Sequence, residues 1–96
     1  PFFRLIYVVL RHTKEEVAET AAQELGSRLR QGFQDRVLGP DKPAVARVKM
    51  LHIRKIVLKF ESGIDLSWVR RYLRAVQEAL LHDRHYGGLQ IYGCLI

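Results

Sequence analysis

The sequence predicts an α+β sandwich in which a four-stranded sheet carries two helices on one face. Three observations predict it. Two stretches, 17–33 and 66–80, repeat apolar residues at three- and four-residue spacing. Three others, 2–11, 53–60 and 89–96, are rich in β-branched and aromatic residues. The stretch between the first helix and the second of these strands contains Pro40 and Pro43, so it reads as an extended edge rather than a third helix. At 96 residues the chain forms one domain, 1–96, with a single core.

Taken in order, Phe2 to Arg11 is apolar on both alternating sets of side chains, as a central strand would be. Thr13-Lys14-Glu15-Glu16 reads as a capping box, with the Thr13 hydroxyl and the Glu16 side chain exchanging hydrogen bonds across the first turn. Val17, Ala21, Leu25, Leu29 and Phe33 then form a buried stripe widened by Ala18 and Ala22, Gly26 weakens it, and Gly32 is the expected stop. "RVLGPDKPAVARVK", residues 36–49, is stiffened by its prolines and predicts a kinked edge strand over 36–48. It is expected to turn near Met50-Leu51-His52 and to return as the strand 53–60, making a rigid projecting hairpin.

In that returning strand Ile56, Leu58 and Phe60 share one face and Lys55, Val57 and Lys59 the other. Asp65 is the expected N-cap of the second helix, with Ile64 stapled to Val69. Its stripe is Leu66, Val69, Leu73, Val76 and Leu80. Tyr86-Gly87-Gly88 leads into the closing strand, where Cys94 is expected to be a small core residue. Strand, helix, strand, strand, helix, strand with two right-handed crossovers is the ferredoxin-like split β-α-β-β-α-β arrangement. That fold hosts many functions, so function has to come from the side chains.

Charge is the strongest functional signal. Residues 36–60 hold seven cations (Arg36, Lys42, Arg47, Lys49, Arg54, Lys55, Lys59) against one acid, Asp41, and therefore carry the whole net charge of +6. A concentrated excess of this kind points to a polyanion. Arg70, Arg71 and Arg74 form a second cationic patch on the outer face of the second helix. The expected nucleic-acid contacts are thus Arg47, Lys49, Arg54, Lys55, Lys59, Arg70, Arg71 and Arg74. The expected open sheet face holds Arg4, Ile6 and Val8 beside Ile53, Lys55, Val57 and Lys59. With no aromatic among them, base stacking on the sheet is not expected, and Ile6, Val8, Ile53 and Val57 are expected to dock against another protein surface.

No chemistry of catalysis is legible. There is no phosphate-cradling GxxxxGK[ST] or GxGxxG, and no nucleophile–base pair. His82 and His85 read as a solvated helix end, so no metal is expected. The lone Cys94 fits a reducing, cytoplasmic setting, and no apolar run is long enough to span a bilayer. The start at Pro1 reads as a fragment of a longer chain.

Arg36-Val37-Leu38-Gly39-Pro40, Pro43, Ala46-Arg47-Val48-Lys49 and Ile56-Val57-Leu58-Lys59 carry a resemblance. The chain resembles the C-terminal domain of the primosomal protein N′ family, the PriA replication-restart DNA helicases, over nearly all its length. The resemblance implies a non-catalytic domain that helps a helicase bind forked or single-stranded DNA and lies against the helicase core. Arg47, Lys49 and Lys59 would be its DNA contacts. ATP and zinc would belong to the rest of the parent chain, and single-stranded-DNA-binding protein and other primosome proteins would be partners. Two stretches depart from the family's pattern, Asp65-Leu66-Ser67-Trp68 and the closing Gly93-Cys94-Leu95-Ile96. The same topology also admits an RNA-binding or ribosome-associated module, or a purely protein-docking domain.

Overall fold

Alternation and helical periodicity produce the expected elements with two additions. The computed structural model describes residues 2–95, with the side chains of residues 94 and 95 outside the description, so the expected core role of Cys94 falls there. The order is β1 (Phe3–His12), α1 (Glu15–Phe33), β2 (Val37–Asp41), β3 (Arg47–Val48), β4 (Leu51–Glu61), α2 (Ser67–Leu81) and β5 (Gln90–Leu95), with short 3-10 turns at Gln34–Arg36 and Arg84–Tyr86. The sheet runs β2-β4-β1-β5 with β3 paired to β4, and its pairs are antiparallel. This is the ferredoxin-like α+β arrangement, with the long edge read at 36–48 split into two short strands.

The core lies between one sheet face and the two helices. Ile6, Val8 and Leu10 of β1 and Ile56, Leu58 and Phe60 of β4 face Ala21, Ala22, Leu25, Leu29 and Phe33 of α1 and Val69, Leu73 and Leu80 of α2. Val17, Ile64 and Val76 pack at the margin of this core. Burying an aliphatic side chain of this kind contributes roughly 1.5–3 kcal/mol, so these stripes dominate stability.

The placement of β1 corrects the expected open face. Ile6 and Val8 are buried core residues, whereas Leu5, Tyr7 and Val9 face away from the helices. The reason is register: Val8 lies opposite Ile56 and Ile6 opposite Leu58, and directly opposed residues of an antiparallel pair share a face. Because β1 is apolar on both alternating sets, its own sequence leaves that choice undecided. β4, with lysines on one set, decides it.

Helix ends also differ from expectation. Lys14, not Thr13, is the N-cap of α1, and no side chain caps it. Buried His12 takes over part of that role: its Nδ1 accepts from the Lys14 N–H at 2.9 Å, and its Nε2–H donates to the Gly87 carbonyl at 2.7 Å. Accepting at Nδ1 fixes the ring proton on Nε2. Gly32 does not stop α1. A Cβ there would sit 2.6 Å from Cζ of Tyr72, so Gly32 is where α2's ring lies against α1. The helix ends at Phe33, and its C-cap Gln34 has φ of 56°. At α2, Asp65 accepts from the Ser67 N–H at 2.9 Å, one residue ahead of the N-cap Leu66, and this hydrogen bond holds its carboxyl below the usual range.

Candidate nucleic-acid interface

The hairpin is built by β2, β3 and the first half of β4. Val37 and Leu38 pair with Leu58 and Val57, then the register shifts across Gly39-Pro40, a cis peptide, before Asp41 meets Lys55. Gly39 has φ of +97°, and a Cβ there would lie 3.1 Å from the Lys55 carbonyl, so the bulge needs glycine. Past Pro43 the chain returns to the sheet as Arg47 and Val48, opposite His52 and Leu51. The two residues between, Lys49 and Met50, have φ of 50° and 71°. Positive φ at both centres is the type I′ geometry whose twist matches the flanking strands. The turn therefore lies at Lys49-Met50, slightly ahead of the expected place, and it presents Arg47 and Lys49 to solvent.

Three of the seven cations in 36–60 are held by internal carboxylates. Arg36 meets Glu61 at 3.1 Å and Lys42 meets Glu15 at 3.3 Å. Arg54 corrects an expectation. It is only 4% exposed and binds Glu19 at 2.7 Å and Glu15 at 3.0 Å, so it is no nucleic-acid contact. By parity it belongs to the core side of β4, under the start of α1, where a guanidinium needs such partners. Burial alone would lower its pKa, but the hydrogen bonds it donates to Glu19 and Glu15 prevail and raise it. Glu15 is lowered by its hydrogen bonds to Arg54 and then Lys42, and Glu19 by those to Gln23 and then Arg54. The Arg30 guanidinium donates to the Gly39 carbonyl, a further tie from α1 to the hairpin base.

The other four, Arg47, Lys49, Lys55 and Lys59, form no ion pair among the described residues. Lys55 and Lys59 lie on the open face with Ile53 and Val57, as expected. Their neighbours across β1 are aromatic as well as aliphatic, which overturns the expectation of a face without rings. The Lys55 ammonium lies 4.8 Å from the Tyr7 ring centre and that of Lys59 4.2 Å from the Phe3 ring centre. On the same face the Arg11 guanidinium lies 5.0 Å from the ring centre of Tyr92 in β5, and donates to Gln90 at 2.6 Å. Sequence reasoning missed Tyr7, Tyr92 and Arg11. The signal was available in the strict lysine alternation of β4, once an antiparallel register sets the odd-numbered residues of β1 opposite it.

Arg70, Arg71 and Arg74 are exposed on α2, with the sheet between them and the lysines of the open face. They make a separate patch rather than an extension of the hairpin. His82 Nδ1 lies 2.8 Å from the Glu78 carbonyl and His85 Nδ1 lies 2.9 Å from Asp83, each satisfied within its own helix end. No helix among the described residues is long and apolar enough to cross a membrane.

No protein-family model matches the chain, and no curated protein does. Among solved structures it is similar to a de novo designed protein, Foldit4, with a TM-score of 0.69 at 6% identity, covering 98% of this chain and 96% of that one. That likeness is one of fold alone, and the ferredoxin-like α+β arrangement is read from the chain's own strand order.

Proposed function

We propose that the chain is a non-catalytic DNA-binding domain of the replication-restart helicase kind that its sequence resembles, working in the cytoplasm. Its hairpin and the adjoining sheet face engage phosphates of branched or single-stranded DNA. The supporting observation is the sorting of charge in 36–60. Arg36, Lys42 and Arg54 are spent on internal carboxylates, while Arg47, Lys49, Lys55 and Lys59 are left without one. Unpaired cations on a stiff two-residue turn and on one sheet face cost self-repulsion and suit a polyanion. Such contacts position the domain and carry no base sequence.

A salt titration with forked DNA tests this. Each phosphate contact contributes a slope of about −0.9 in log affinity against log salt on duplex DNA. Arg47→Ala with Lys49→Ala is expected to weaken binding alike for all sequences and to reduce the slope by roughly 2. A folded double variant with unchanged affinity and slope would remove the hairpin as the contact. Val45, Val48 and Met50, exposed among the same cations, favour a second reading, docking on the helicase core. Indifference of the wild-type chain to forked DNA at low salt would establish that reading instead.

A further inference from the structure

The open face of the sheet matches rings to cations in a way that phosphate binding alone does not use. Tyr7 lies mid-strand in β1, Phe3 at the start of β1 and Tyr92 in β5, and each has Lys55, Lys59 or Arg11 over its ring. The helices do not need these rings, which lie on the opposite face; Phe3 and Tyr92 are 45% and 44% exposed. Because Tyr92 pairs with Val9, it is a diagonal neighbour of Tyr7, at about 7–8 Å. Phe3 follows at roughly 13 Å along the strand.

We infer that this face binds a single strand of nucleic acid, with bases stacked on Tyr7 and Tyr92 and phosphates held by Lys55, Lys59 and Arg11. The inference rests on the polyanion reading above and adds to it the form of the ligand and a second set of residues. Charge decides the occupant. The carboxylates bordering this face are Asp41, opposite Lys55, and Glu61, opposite Phe3 and already bound by Arg36. An ordinary protein surface laid here would bury three cations with few local acids to meet them, which is costly. A duplex offers phosphates but keeps its base faces stacked inside, so it would leave the rings unused. A single strand supplies both chemistries. As it binds, a base takes the place of the cation over the ring and the cation turns to the neighbouring phosphate. Base stacking on an aromatic side chain is a stronger contact than an exposed cation–π pair, so the exchange favours the complex.

The test uses a labelled thymidine oligonucleotide of about 12 nucleotides, within the usual range for one such site, its uridine counterpart, and a duplex of the same length. Tyr7→Ala with Tyr92→Ala is expected to weaken single-strand binding at least roughly tenfold while duplex affinity stays within about twofold. Tyr7→Phe with Tyr92→Phe should bind like the wild-type chain, because stacking needs only the ring. In the unsubstituted chain, ring-proton resonances of Tyr7 and Tyr92 should move upfield on adding the oligonucleotide, a measurement independent of any variant's folding. Tighter binding of the thymidine or of the uridine strand supports the site in either case and identifies the sugar it prefers. Unmoved ring resonances, or an Ala variant that binds the single strand as tightly as wild type, would overturn the inference and leave the phosphate reading standing. If the wild-type chain binds neither strand nor duplex, both fall together.

Discussion

Arg54 shows how one side chain can reverse its apparent meaning. In sequence it is one more cation in a basic run; in the fold it is the buried member of a cluster with Glu15 and Glu19, both of which remain about half exposed. This asymmetry predicts unequal costs. Arg54→Met removes a buried charge and lets two acids return to water, so it is expected to stay within about 1 kcal/mol of wild type. Glu15→Ala with Glu19→Ala leaves the guanidinium buried without its partners and is expected to destabilise more, as read by urea unfolding. Acid should act in the same way. Both carboxyls are lowered in the folded chain from the ordinary 4.5, so their contribution is fully present above that value. It is lost as pH falls through the folded pKa values. Arg54→Met is therefore expected to flatten the acid limb of the stability–pH profile.

At the scale of elements, two positions show packing and turn geometry overriding local preference. Gly32→Ala would gain about 1 kcal/mol in helix propensity. The new methyl would meet a Tyr72 ring that is held on both sides, by Phe33 at a centroid distance of 5.0 Å and by its hydroxyl's hydrogen bond to the Arg28 carbonyl at 2.8 Å. Overpacking of this sort costs roughly 1–3 kcal/mol, and the hydrogen bond about 1 more. The expected outcome is a net loss of about 1–3 kcal/mol in chemical denaturation. Met50→Gly should act in the opposite sense. Met50 holds φ of 71° in the hairpin turn, a conformation costing an L-residue roughly 1–2 kcal/mol. Glycine is favoured at that second turn position, so the variant is expected to gain roughly 0.5–1 kcal/mol. Its DNA affinity should be unchanged, because Arg47 and Lys49 remain in place.

For the whole molecule the arrangement of layers matters most. Helices on one side and a ringed, cationic sheet on the other give the domain two unlike faces, and the two basic patches lie on opposite sides of it. A ligand held by the hairpin and open face does not reach α2. Arg70→Ala with Arg74→Ala is therefore expected to reduce the salt slope by less than the hairpin double variant does, with forked DNA and matched conditions. An equal or larger effect would move the principal contact to the helix face.

The sequence by itself determined the element order, both helical stripes, the core set of β4 and the basic hairpin with its exposed Arg47 and Lys49. Each rests on local chemistry: apolar spacing, lysine alternation, and proline and glycine at the bends. Only the tertiary structure decided which set of β1 faces the helices, because both sets are apolar and only pairing with β4 distinguishes them. That one register moved Ile6 and Val8 into the core and brought Tyr7 beside Lys55. The same holds for Arg54, which lies 35 and 39 residues from Glu19 and Glu15 and meets them only when α1 packs over β4. Charge is written in the sequence, but whether a charge is buried, paired or presented depends on contacts between elements that no local pattern records.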